Sequence, residues 1–137
     1  MENEKNRLHD LIYQKMKNLG EISPDTFRQK LETYQNTAKI PLLIAVDEEG
    51  GTVTRVSSNP AFRATKFPSP RSLYEGSGME AVRVCAKEKC LLLSSLGINV
   101  NLAPVCDITT DPNAFLYSRS LGQSPEITAQ FVRDTVR

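Results

Sequence analysis

The sequence predicts an α/β fold with parallel strands, and three observations carry that reading. Residues 40–46, IPLLIAV, form a short apolar run without a polar face. Such a run suits a strand covered on both sides, as in a parallel sheet. A second strand pattern, INVNLAPV at 98–105, follows after an intervening helical pattern. Strands alternating with helices describe βα units.

The elements follow in order along the chain. Residues 5–19 set Leu8, Leu11, Ile12, Met16 and Leu19 at helical spacing, and Gly20 reads as a stop. SPDTF opens a second helix: Ser23 is a good N-cap, Pro24 suits the first turn, and Asp25 favours the positive helix end. Phe27, Leu31, Tyr34 and Ala38 make its apolar stripe, while Arg28, Lys30 and Glu32 read as solvated. Beyond the first strand, residues 52–76 hold Pro60, Pro68 and Pro70 among serines and charges, so they read as mostly loop, with a short strand at TVTRV. A third helix begins at Ser77, where Ser77 and Glu80 have capping-box spacing. Val82, Cys85, Ala86, Leu92, Leu93 and Leu96 share its apolar side, Lys89 intrudes on it, and Gly97 ends it. In the second strand Ile98, Val100 and Leu102 fall on one face, and Asn99, Asn101 and Ala103 on the other. The loop CDITTDPNAFLYSRSLGQ leads to Ser124, Pro125 and Glu126, which cap a final helix.

Composition narrows the chemistry. At 137 residues, 39% hydrophobic and 24% charged, the chain is one ordinary globular domain. A net charge of +1 offers no field for nucleic acid or an anionic membrane. No apolar run reaches transmembrane length. The polar start MENEKNRLHD lacks the apolar centre of a signal peptide, which leans toward a cytoplasmic location. Cys85, Cys90 and Cys106 are odd in number and lack CxxC spacing, which argues against a disulfide framework or a zinc site. They read as reduced core thiols. His9, the single histidine, sits at the edge of the first apolar stripe and reads as partly exposed helix surface. A Ser-His-Asp triad or a multi-histidine metal site therefore has almost no material here.

In parallel α/β folds, ligands meet the loops at the C-terminal ends of strands. One such loop begins at Asp47, in VDEEGG, and the other near Cys106 and Asp107. They would open on the same face of one sheet. An ionised carboxylate can accept two hydroxyl hydrogen bonds, as vicinal sugar hydroxyls require. An arginine adds a planar fork of donors, and Gly50-Gly51 lets the backbone turn sharply. On these residues alone a solvated acidic turn is the favoured reading, with a ligand role left open. Asp107 could cap the chain after a strand or hold an asparagine. Asp111-Pro112-Asn113 is ordinary turn chemistry. Asn99 and Asn101 read as satisfied structural amides, and Arg119 as a loop arginine.

Two stretches taken together go further. PLLIAVDEEGGTVTRV resembles the family 3 glycoside hydrolase pattern I-D-x-E-G-G-x-V-x-R. LGINVNLAPVCDITTDPNAFLYSRSLGQSPEIT is similar to that family's L-G-I-N-x-x-x-A-P-V-x-D and R-S-F-G-x-x-P-E segments. The β-N-acetylglucosaminidase (β-hexosaminidase) branch is the nearest in flavour, and the likeness spans about residues 40–137. The resemblance implies part of a (β/α)8 TIM-type barrel, roughly its first two to four βα units. It implies a retaining hydrolase acting on terminal β-linked N-acetylglucosamine, without a cofactor or metal. By the same resemblance Asp47 grips sugar hydroxyls, Arg55 supports that pocket, and Arg119 belongs to the sugar site. Glu48 stands where glutamine is common, Glu49 holds the loop, and Leu121 replaces an aromatic residue.

The resemblance also places the Lys-His-Phe-Pro-Gly segment, the histidine acid/base and the aspartate nucleophile beyond Arg137. Retaining hydrolysis needs both groups, so no catalytic residue is assigned and the chain alone is expected to be inactive. Residues 1–22 form a poorly matched helical segment, and residues 23–137 the N-terminal part of the barrel. A full barrel takes about 250 residues. An incomplete sheet leaves unpaired edges, so self-association through them is expected. The alternative is a non-catalytic sugar-binding or structural interaction module derived from such an enzyme. The expected partner is an N-acetylglucosamine-type glycoside, with no nucleic acid and no membrane.

Overall fold

The computed structural model describes residues 22–136. Helix α1 is Pro24–Thr37, strand β1 is Ala45–Val46, helix α2 is Pro70–Ser95, strand β2 is Val100–Asn101 and helix α3 is Pro125–Val136. The two strands pair in parallel, Ala45 beside Val100 and Val46 beside Asn101. Helix α2 is the crossover that a parallel pair requires. The α/β reading with parallel strands therefore holds, in a helix-rich form. The predicted segment 5–19, with His9, lies outside the described residues.

Both strands are shorter than their sequence patterns. The asparagines explain how pairing continues beyond the backbone ladder. Asn99 accepts from Ile44 N at 2.7 Å and donates to Leu42 O at 2.9 Å. Asn101 accepts from Glu48 N at 3.0 Å and donates to Glu48 O at 3.1 Å. Each side-chain amide imitates a peptide unit, so it satisfies one donor and one acceptor of the neighbouring chain. Both residues are structural amides, as their pattern suggested.

The expectation that residues 40–46 are covered on both faces fails. Ile44 and Val46 pack on the core, but Leu43 is 84% exposed. Nor do Ile98, Val100 and Leu102 share one buried face. Ile98 enters the core while Leu102 is 60% exposed. The physical reason is that helices cover one side of the sheet only. Among the described residues the sheet has two strands, so each keeps an open edge.

Helix α2 starts earlier than expected. Ser69 caps it by accepting from Ser72 N at 3.2 Å, and Pro70 occupies the first turn. Proline fits there because its missing N–H would be unpaired anyway. The helix is interrupted at Gly78, where the backbone is non-helical, so a second helical segment starts there, at the expected signal of Ser77 and Glu80. TVTRV forms no strand; the chain there makes an isolated bridge between Gly50 and Val53. On α1, Ser23 caps as expected, but Tyr34 is 54% exposed rather than part of a buried stripe. Cys85 is buried, whereas Cys90 and Cys106 are exposed, which corrects their reading as core thiols. Cys90 falls off the apolar side of α2, and Cys106 lies in the open loop after β2.

Two apolar clusters hold these elements. Val56, Leu93, Leu96 and Ile98 gather Phe27, Leu31, Ile44 and Val46, joining α1 and the end of α2 to the sheet. Phe27 meets Phe62 edge-to-face at 5.4 Å. Val82, Leu121 and Phe131 fasten α3 to α2. Leu121 is fully buried, and truncating such a leucine to alanine costs about 2–5 kcal/mol.

Candidate functional site

The loop after β1 separates its three carboxylates. Glu48 is fully buried. Its carboxylate accepts from Arg55 N at 2.8 Å, from Val56 N at 2.7 Å, and from the Ser57 hydroxyl. Ser57 Oγ in turn accepts from Phe67 N at 3.1 Å. Glu48 thus gathers the segment that carries Arg55, a role that sequence reasoning missed.

Glu49 is 4% exposed and forms a two-pronged pair with Arg119: Nε donates at 2.9 Å and Nη2 at 2.6 Å. This bond raises the Arg119 pKa, and the more distant Asp47 and Asp107 carboxylates add to it. Glu49 holds the two loops together. Its carbonyl accepts from Lys89 Nζ at 2.7 Å. Lys89 reaches in from α2, so its intrusion on an apolar face was the one sequence signal of this contact. Burial lowers the Lys89 pKa and raises that of Cys85, one helical turn earlier.

Gly50 completes the turn. Its φ of +107° is one that other residues rarely adopt, and a Cβ there would overlap the Pro68 carbonyl. Gly51 N donates to Phe67 O at 2.8 Å, so the loop lies against the entry to α2.

Asp47 is half-buried and Arg55 exposed. Both line a cavity of about 320 Å³ between α1 and β1. Its remaining walls are apolar, chiefly Phe27, Leu31, Val46, Val56 and Phe62. A pocket of that size with apolar walls and a few polar groups has the make-up of a small-molecule site. Arg119, in the loop after β2, is not in this lining; Glu49 holds it beside the loop after β1. The structure therefore sets Asp47 and Arg55 in one cavity lining, while Arg119 lies outside that lining but within reach of the Asp47 and Asp107 charges. Asp111 caps its own turn through Asn113 N at 2.9 Å, as turn chemistry suggested. Asp107 is exposed.

The parallel βα arrangement, with polar loops following both strands, defines an α/β domain with its polar loops at the carboxyl ends of its strands. The chain belongs to the glycosyl hydrolase family 3 N-terminal domain family, whose model matches residues 11–137. Its relatives include Beta-hexosaminidase A of Pseudoalteromonas piscicida, 31% identical over 121 residues, covering 88% of this chain and 20% of that protein. Beta-hexosaminidase LpqI of Mycobacterium tuberculosis is 36% identical over 87 residues, 63% of this chain and 22% of that protein. Among solved structures, a family 3 glycosyl hydrolase from Mycobacterium smegmatis superimposes with a TM-score of 0.69 at 29% identity, covering 78% of this chain and 32% of that one. The chain spans about a fifth of the length of these curated relatives.

Proposed function

We propose that this chain is the upstream portion of a (β/α)8 barrel, carrying part of the sugar pocket of a β-N-acetylhexosaminidase. In this reading Asp47 accepts hydrogen bonds from sugar hydroxyls and Arg55 donates to ring or acyl oxygens. Arg119 stands at the adjacent edge of the site. The observation that carries the reading is the sorting of the carboxylates. Glu48 and Glu49 are buried and engaged, whereas Asp47 shares an open cavity with Arg55. The named relatives, beta-hexosaminidases, support the substrate class.

The same sorting speaks against hydrolysis by this chain alone. Retaining cleavage needs a nucleophile and an acid/base flanking the bond. Glu49 is bound to Arg119, so Asp47 and Glu49 do not make such a pair. Titration with N-acetylglucosamine, followed by calorimetry, tests the pocket. Asp47→Asn should weaken binding about ten- to a hundredfold, the scale of ~1.5–3 kcal/mol for hydrogen bonds to a charged group. Unchanged binding would remove Asp47 from the site. A nitrophenyl β-N-acetylglucosaminide should not turn over, and turnover abolished by Asp47→Ala would overturn the inactive reading.

An interaction role has its own support. Leu43 and Leu102 are exposed on the uncovered face beside two open strand edges. Unpaired edges are templates for strand pairing, so the chain should self-associate.

A further inference from the structure

We infer that Arg71 is the positioning residue that sets Arg119 against Glu49. Arg71 stands in the first turn of α2 and reaches across to the loop after β2. Its Nη2 donates to Thr109 O at 3.1 Å and to Ser120 Oγ at 3.3 Å. Its guanidinium lies 3.9 Å from the centre of the Tyr117 ring. One side chain therefore ties both limbs of the loop, at Thr109 and at Ser120. The two gripped positions on the downstream limb, Tyr117 and Ser120, flank Arg119.

The surroundings are built for this guanidinium. Gly122 has φ of +71°, and a Cβ there would overlap the Arg71 guanidinium. Ser120 is fully buried, so the hydroxyl that Arg71 meets has a fixed place. Arg71 Nε is buried without a partner. Burying an unpaired donor is costly, which indicates that stacking and the two Nη2 bonds set the group's position. Arg119 N and Ser120 N both donate to Leu116 O, closing residues 116–120 into a turn. Arg71 holds that turn from α2, and Glu49 holds Arg119 from the loop after β1. The planar fork and ring stacking are properties of arginine that lysine lacks.

The link to sugar rests on the reading of Arg119 as a residue of the sugar site; the clamp itself does not. The test uses proton exchange at arginine Nε–H groups, followed by NMR on the full chain. Arg119 Nε–H is bonded to Glu49, and Arg83 Nε–H, bonded to Asp134 at 3.0 Å, is a control elsewhere in the fold. In Arg71→Met, exchange at Arg119 should quicken about two- to tenfold, the range that loss of one net-favourable hydrogen bond allows, while Arg83 is unchanged. Arg71→Lys, which keeps charge without the fork, should show the same selective loss. Protection of Arg119 unchanged from the unaltered chain in both variants overturns the inference, and so does a loss at Arg83 as large as at Arg119, which would mark a global effect. Full protection in Arg71→Lys overturns the fork and leaves charge as the cause. N-acetylglucosamine titration of the same variants separates the two ideas. If the unaltered chain binds the sugar, Arg71→Met should bind it more weakly. If the unaltered chain binds none, the sugar reading fails, and the clamp is judged on Arg119 exchange alone.

Discussion

Replacing Glu48 by alanine should remove a large share of the chain's stability. The carboxylate is fully buried and serves three strong donors: the N–H groups of Arg55 and Val56 and the hydroxyl of Ser57. Arg55 is exposed, so its N–H can turn to water. Val56 and Ser57 are only 6% and 2% exposed, and their donors cannot. Each buried orphan costs about 1–3 kcal/mol, so the two together cost about 2–6 kcal/mol. A domain of this kind holds about 5–15 kcal/mol in total. Glu48→Gln is the informative comparison. Its carbonyl oxygen can still accept from Val56 and Arg55, and its amide can donate to Ser57 Oγ. That variant should lose less than about 1.5 kcal/mol, the scale of one ordinary hydrogen bond. Urea unfolding followed by circular dichroism measures both. An alanine variant that loses less than about 1 kcal/mol, or a glutamine variant as unstable as alanine, would refute the reasoning.

Asn101→Ala removes both side-chain bonds to the Glu48 backbone and should lower stability by about 1–3 kcal/mol; thermal unfolding reads it, and Asn99→Ala at its more exposed position should cost less. Lys89→Met should steepen the alkaline loss of stability. Burial depresses the Lys89 pKa, so the unfolded chain binds that proton more tightly and the Lys89 contribution rises as pH climbs toward its ordinary value of 10.5. Burial raises the Cys85 pKa, so the Cys85 contribution is lost as pH climbs above its ordinary 9.0. Without Lys89 the Cys85 loss stands unopposed; urea midpoints that run parallel to the unaltered chain above pH 9.0 would contradict this. Leu43→Lys combined with Leu102→Lys should shift sedimentation toward the monomer, because both side chains are exposed beside the open strand edges; an unchanged distribution would place the self-contact elsewhere.

What the sequence revealed follows from the range of the forces involved. Helix caps at Ser23 and Gly97 depend on neighbours within one turn, and both were legible. The parallel pair was legible too, because IPLLIAV and INVNLAPV are strand-like in themselves. The bare face of the sheet was not. Leu43 has the composition of a core residue, and whether it is covered depends on what packs there, which no local pattern encodes. The early start of α2 was hidden by Pro68 and Pro70, which signal a loop until Ser69 is recognised as the cap. Arg71 left no sequence signal at all. Its partners are 38 and 49 residues away, and nothing in PRSLYE marks one charged residue as turned inward.

The three adjacent carboxylates show how the fold divides one chemical type into separate tasks. Val46 packs on the core and Gly50 turns the chain, leaving Asp47, Glu48 and Glu49 three different surroundings within one short bend. Glu48 meets a row of backbone donors, so its charge is used up in holding Arg55 in place. Glu49 meets a guanidinium, so its charge is used up in joining two loops. A general acid must carry a proton into an open site, and a nucleophile must have a lone pair facing a substrate. Neither glutamate meets those requirements. Of the three, only Asp47 keeps a carboxylate next to open space, in the cavity that Arg55 also lines; under the proposed reading it holds a polar ligand, and a retaining cleavage would need a second group besides it.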